Sequence, residues 1–347
     1  MTNVFKRFSR AAAGWVRGAP RKAFVLMYHR VADEFCDPWG LCVSPRFFDQ
    51  QLDVLRQFAP VLPIKTLTAN LRSGTLRRRS IAITFDDGYA DNVDIARPLL
   101  ARYDAPATFY IVSRQVGSER EYWWDELDRL LLQPGRLPAT FELDLEGDIV
   151  RAELGDATTY GEESHRLNRN WRAWETPPTP RHALYYALWQ RMRPMSAERR
   201  QDILEALRRW ARADPGARPA RAVVSQAALA GLAADRLIEV GCHTMTHPRL
   251  AALTVPEQAE EIRGCKESLE AILNRRVESF AYPFGGDGDY TADTVSLVRN
   301  IGFSSACCTS EGPVTASSDP AQLPRMFIQN CDGEQFGRQL SEWFGDR

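Results

Sequence analysis

Long uninterrupted apolar runs are missing from this chain, and so is any appreciable charge imbalance. No stretch approaches the roughly 20 apolar residues of a membrane helix. The N-terminal MTNVFKRFSRAAAGWVRGAPRK also lacks the apolar core of a signal peptide. Export by that route is not expected, which places the protein in the cytoplasm. The basic segment 1–20, with Val4, Phe5, Phe8 and Trp15 among its cations, has the composition of a short helix that lies on the inner face of an anionic membrane. A frayed terminal helix docked on the body, or a segment with no order of its own, fits the same residues. A net charge of -1, from 44 basic and 45 acidic residues, supplies no global field for a nucleic acid. The seven cysteines are odd in number and contain no Cys-x-x-Cys pair, which argues against a disulfide framework or a cysteine zinc knuckle and for free thiols in the core. Histidine is scarce: with five in 347 residues, any imidazole chemistry must come from few positions.

What is present is an alternation of apolar runs and helical patterns. KAFVLMYH (22–29) is followed by a Ser44-Pro45 start signal and by Phe47, Phe48, Leu52 and Leu55 at helical spacing. IAITF (81–85) precedes a helix over about 91–103, and ATFYIV (107–112) follows. LIEVG (237–241), a helix over 256–273, ESFAYP (278–283), a helix over 291–300 and GFSSAC (302–307) complete the rhythm. Strands alternating with helices predict an α/β chain, a distorted (β/α) barrel of seven or eight parallel-type strands. Its working residues are expected where strands end. Between 113 and 236 the rhythm breaks into a tryptophan-rich, mostly helical insertion with a hairpin over 141–154 and helices over 181–192 and 197–213. We therefore divide the chain into a basic segment 1–20 and a barrel over 21–347 that carries this insertion. Arg166, Arg169, Arg172 and Arg181 within it are candidates for substrate contact, with solvated helix faces as the plainer explanation.

Three stretches carry chemistry. IAITF runs into Asp86, Asp87 and Gly88, where the turn at a strand end lets two carboxylates converge on one mouth. Two close carboxylates raise one pKa unless a cation neutralises the other, so one aspartate is expected on a metal and its neighbour on protons. LIEVG runs into GCHTMTHP, where His243 and His247, four apart in a helical turn, share a face and can reach one ion. One Asp and two His leave positions open for water and substrate, as in catalytic sites. In FAYPFGG (280–286), a Pro-aromatic-Gly turn brings backbone close to a ligand, and the amide of Phe284 becomes a candidate oxyanion donor with Tyr282 beside it.

TFDDG, HTMTH and YPFG, in that order, resemble the polysaccharide deacetylase family, carbohydrate esterase family four, which includes chitin, peptidoglycan and poly-N-acetylglucosamine deacetylases. The resemblance covers roughly Arg21 to Cys331 apart from the insertion. It implies a catalytic base at Asp86, metal ligands at Asp87, His243 and His247, and a divalent ion, zinc in most members and cobalt or nickel in others. The acid that many members draw from a histidine near the C-terminus has no counterpart, since no histidine follows His247. MYHRV instead puts His29 at the end of the first strand, as in a branch similar to the bacterial poly-N-acetylglucosamine deacetylases. An adjacent carboxylate is expected to favour its charged form. The arginine that orients the base in many members is also missing before YPFG, and Arg325, in LPRMF, is the candidate to reach Asp86 instead. YWWDE, with Trp123, Trp124 and Asp125, is the candidate for the tryptophan lining of the acetyl pocket.

These readings imply a metal-dependent hydrolase that removes the N-acetyl group of an amino sugar in a glycan or glycolipid. The absence of an export signal favours a lipid- or nucleotide-linked sugar. A deformylase or imidase acting on a small amide, and a carbohydrate-binding barrel without turnover, are the alternatives.

Overall fold

The computed structural model describes residues 21–346 except Phe35 and Glu146; the basic segment 1–20 lies outside the described residues. Its centre is a seven-stranded sheet, entirely parallel: β1 Lys22–Tyr28, β2 Arg79–Phe85, β3 Ala107–Ile111, β4 Ile238–Cys242, β5 Ser279–Ala281, β6 Ser305–Cys307 and β7 Met326–Phe327, in the order β6-β5-β4-β3-β2-β1-β7. The sheet curls until its ends meet. Leu323 pairs with Cys307 of β6, and three residues later Met326 pairs with Leu26 of β1. The segment 323–327 thus closes the seam of a distorted barrel.

Alternation along the strands makes two cores. Phe24, Leu26, Ile81, Ile83, Phe85, Phe109 and Val240 point outward beneath helices such as Pro45–Phe58 and Val255–Leu273. Ala23, Val25, Ala82, Tyr110, Ala281 and Cys307 form the interior with Leu323. The interior residues are mostly small because large side chains already occupy the space: a Cβ on Gly241 would lie 2.4 Å from the Tyr110 ring. The helix Pro45–Phe58 starts where Ser44 accepts a hydrogen bond from the Phe47 amide (3.3 Å) and Pro45 fills the first turn. All seven cysteines are free and buried.

The expected hairpin pairs Thr140–Leu145 with Asp148–Glu153, and helices span Pro180–Met192 and Ala197–Ala211. With the helix Trp123–Leu131 these elements surround a second core that includes Trp123, Leu127, Leu131, Phe141, Leu188 and Leu204. The expected helix at 91–103 begins as a π-helical turn, Asn92–Ala96, and continues as Arg97–Arg102. In that turn the Asn92 amide donates to the carbonyl of His29 (2.8 Å), fixing the chain where β1 ends. Helices Ile64–Arg72 and Gly333–Phe344 have no counterpart in the sequence reading.

Candidate active site

Asp86 and Asp87 follow β2 and His243 follows β4, so the parallel strands deliver them to one mouth. His243 and His247 do converge, but not through a helical turn. Residues 243–249 form an irregular loop in which Thr244 (φ 65) and His247 (φ 56) adopt left-handed backbone. Among the described residues seven non-glycines have positive φ, and four of them, Asp87, Thr244, His247 and Phe284, lie at this site. Such conformations cost about 1–3 kcal/mol each and persist where the surroundings impose them.

Asp87 Oδ1 lies 3.6 Å from His243 Nε2 and 3.5 Å from His247 Nε2. Tetrahedral ligands about 2.1 Å from a zinc-sized ion stand about 3.4 Å apart, so the triangle has the right size. The chemistry of the donors fits as well. Burial lowers the pKa of both imidazoles, leaving them neutral with free lone pairs. The His243 Nδ1–H donates to the carbonyl of Ala281 (2.8 Å), which turns Nε2 toward the site. Asp87 Oδ1 is buried without a hydrogen-bond partner, and burial together with Asp86 and Asp125 pushes its pKa far above the usual carboxylate range. A divalent cation between these three atoms relieves all of these conditions; Asp87, His243 and His247 form a group able to hold one.

Asp86 sits in the opposite electrostatic situation. Arg325 donates to both of its oxygens at 2.7 Å, and also to the carbonyl of Cys308 (2.9 Å) and to Thr84 Oγ1 (3.2 Å). Burial pushes the Asp86 carboxyl up, but Arg325, seconded by His243, outweighs it and holds the group below the usual range. Arg325 is fully buried in the seam segment, one residue before β7, and its guanidinium lies over Tyr110 in the barrel interior.

His29 is at the mouth, mostly buried at the end of β1, with its ring 5.9 Å from Phe327 and its Nδ1 buried without a partner. Its expected charge state is reversed. Burial, helped by Arg325 and His243, outweighs the pull of Asp86 and lowers its pKa to about 4, so the ring is neutral at neutral pH. Phe284 reaches the site, its ring 4.8 Å from that of His247, and its amide takes part in no hydrogen bond among the described residues. Tyr282 does not reach it. Its ring stacks on Tyr290 at 4.1 Å and its hydroxyl donates to the carbonyl of Ala321 (2.8 Å), because alternation along β5 turns it to the outer core. Trp124 packs 4.9 Å from the His247 ring, with its indole N–H on Tyr89 and Tyr89 in turn on Asp125. Of the arginines expected at the substrate, Arg181 is buried and donates to five backbone carbonyls, a structural role. Arg172 donates to the carbonyl of Asp37.

Several site neighbours escaped the sequence reading. Tyr122, next to the tryptophans, donates its hydroxyl to the Asp87 carbonyl. Arg193 lies over the Phe284 ring at 4.6 Å and pairs with the buried Asp289 (2.5 Å). Arg200 donates to the carbonyl of His247 (3.2 Å). Around the mouth run Trp39 and Trp189, tilted against each other at 4.0 Å, then Phe284 on one side and Phe327 on the other. Trp174, 58 % exposed, packs beside Gly40 near Phe327.

The family model described as Polysaccharide deacetylase matches residues 73–135 and 218–306. The poly-beta-1,6-N-acetyl-D-glucosamine N-deacetylase of Staphylococcus aureus is 26% identical over 37% of this chain and 40% of that protein. YxkH of Bacillus subtilis is 23% identical over 34% of this chain and 42% of that one. The matched region thus spans less than half the length of either curated relative. Two solved structures share the fold: IcaB from Ammonifex degensii (TM-score 0.57, 18% identity, 93% of this chain and 97% of that one) and the Streptococcus pyogenes deacetylase PplD in complex with acetate (TM-score 0.56, 18% identity, 92% and 99%).

Proposed function

Because the chain belongs to the polysaccharide deacetylase family, we propose that it hydrolyses the N-acetyl group of an amino sugar in a glycan, with a divalent ion, zinc, held by Asp87, His243 and His247. The observation that carries this reading is the division between two adjacent aspartates, one facing two neutral imidazoles and the other locked on an arginine. When bound, the ion supplies Lewis-acid polarisation of the acyl carbonyl and a lowered pKa for the attacking water.

The residues of the chain do the rest. Asp86, kept ionised by Arg325, accepts the proton of the attacking water. The Phe284 amide, on left-handed backbone, donates to the oxyanion that develops on the acyl oxygen. His29 delivers a proton to the leaving nitrogen. Because burial keeps its ring neutral beforehand, the proton it delivers is the one Asp86 takes from the attacking water, passed to the imidazole as negative charge builds up beside it. The products are acetate and a free amine on the sugar. The aromatic rim of Trp39, Trp189, Phe284 and Phe327 presents apolar faces suited to sugar rings.

The test is acetate release from acetylated amino-sugar oligomers, and from the same sugars on a lipid or nucleotide carrier, before and after chelation. Release that stops on chelation and returns with zinc supports the reading. Protein that binds no metal stoichiometrically overturns it. The acid role of His29 is read from leaving groups. His29→Ala should lose activity on acetamides while retaining it on 4-nitrophenyl acetate, whose phenolate leaves without a proton. Equal losses on both would remove His29 from that role.

A further inference from the structure

The two histidines of the metal group are held differently. The His243 ring is turned by a hydrogen bond from its Nδ1 to Ala281. His247 Nδ1 has no partner, so nothing bonded to the ring orients it. Its direction must come from its backbone, at φ 56, and from the rings packed on it, Trp124 and Phe284.

Within its own loop the His247 amide donates to Thr244 Oγ1 (3.1 Å), and its carbonyl is gripped from the insertion. Arg200 lies on the inward stripe of the helix Ala197–Ala211, in line with Ile203, Leu204 and Leu207, and is 2 % exposed. Among the described residues no carboxylate makes a direct ion pair with it, Glu261 acting on it only from beyond contact, and a buried guanidinium so weakly balanced costs several kcal/mol unless its donors are used. They are used on three carbonyls: Nε to Met192 (3.0 Å), Nη2 to Arg193 (2.7 Å) and Nη1 to His247 (3.2 Å), with the plane over Trp123 at 5.0 Å. The first two bonds close the C-terminal end of the helix Pro180–Met192, where helical partners run out, Met192 also accepting from the Met195 amide, and the dipole is negative. A cap inside the insertion needs nothing more. The third bond crosses to the metal loop. The family match leaves out residues 136–217, so this contact comes from the part of the chain the match does not cover.

Building on the metal-site reading above, we propose that Arg200 is a positioning residue for the metal, holding the His247 backbone so that Nε2 faces Asp87. The insertion is then a component of the metal site as well as a cover over the barrel.

The test is metal affinity, measured by competition with a chelator, together with the visible absorption spectrum of the cobalt-loaded protein. Arg200→Met removes all three donors at similar length and should weaken affinity about 10-fold and change the cobalt spectrum. Arg200→Lys, which keeps the charge, should recover part of both and carries the test if Arg200→Met fails to fold. Ser196 caps the same helix by accepting from the Arg199 amide (3.2 Å) and touches nothing at His247. Ser196→Ala should therefore loosen that helix without altering affinity. Wild-type affinity and spectrum in folded Arg200 variants would overturn the proposal. So would a loss in Ser196→Ala equal to that in Arg200→Met. Absence of metal binding by the wild type would overturn the metal-site reading beneath it.

Discussion

Asp86 and Asp87 are neighbours in the chain, buried to the same degree, and of the same chemical type, yet their surroundings push them in opposite directions. Asp86 faces a guanidinium that takes both oxygens, and its affinity for a proton falls. Asp87 faces two neutral imidazoles, and its affinity for a proton rises. The difference comes from what lies across the barrel from each: the seam segment for one, the loop after β4 for the other. Burial alone would leave both neutral. A fixed internal cation makes the first a permanent anion, while the second is poised for a cation that comes from outside.

The largest effect should come from removing the external partner. Asp87→Ala or His247→Ala should lose both the metal and acetate release down to background, read by metal content and turnover. Retention of a full metal complement would merge the two aspartates into one role. Asp86→Asn should keep the metal but lose about 10²–10⁴-fold in kcat, the usual contribution of a general base. Wild-type turnover in that variant would assign the proton to another group. Arg325→Ala breaks a buried pair and should cost about 3–5 kcal/mol of stability in denaturant titrations.

The same variant carries the pH test. The folded pKa of Asp86 is depressed, so its ionised form, and the stability it brings, is present above the ordinary carboxylate range and is lost only as pH falls through the depressed value. Without Arg325 the acid limb of kcat/KM should move to higher pH; an unmoved limb would detach Arg325 from the base. Chelation should lower Tm, the loss corresponding to about 2.7 kcal/mol where free metal stood at 100 times its Kd. The smallest effect is expected at the rim, where Trp174→Ala should leave stability within about 0.5 kcal/mol, because the ring is largely exposed.

Much of this site could be read from sequence because parallel strands deliver their ends to one place. IAITF before Asp86 and LIEVG before His243 were enough to bring a carboxylate pair and an imidazole pair together. Arg325 was legible as a candidate replacement for a missing arginine, and its reach follows from the closed seam. What failed was whatever depends on backbone hand or on burial. Nothing in HTMTH announces left-handed residues at Thr244 and His247, and a spacing of four suggested a helical turn instead. The carboxylate near His29 was visible, but the desolvation that outweighs it was not. Arg200 did leave a trace: it falls in helical register with Ile203, Leu204 and Leu207, an arginine on an apolar stripe. Among so many arginines in that segment it read as ordinary surface.

The seam also bears on when the protein becomes competent. Asp86 is made first, and the arginine that keeps it ionised comes 239 residues later, after Leu323. During synthesis the strands up to β6 can assemble before that arginine has emerged, with a buried carboxylate and no internal cation. A nascent or truncated chain ending before the seam would therefore hold an open barrel and an unset base. The base is thereby set only when the seam closes, an order built into the sequence of the strands.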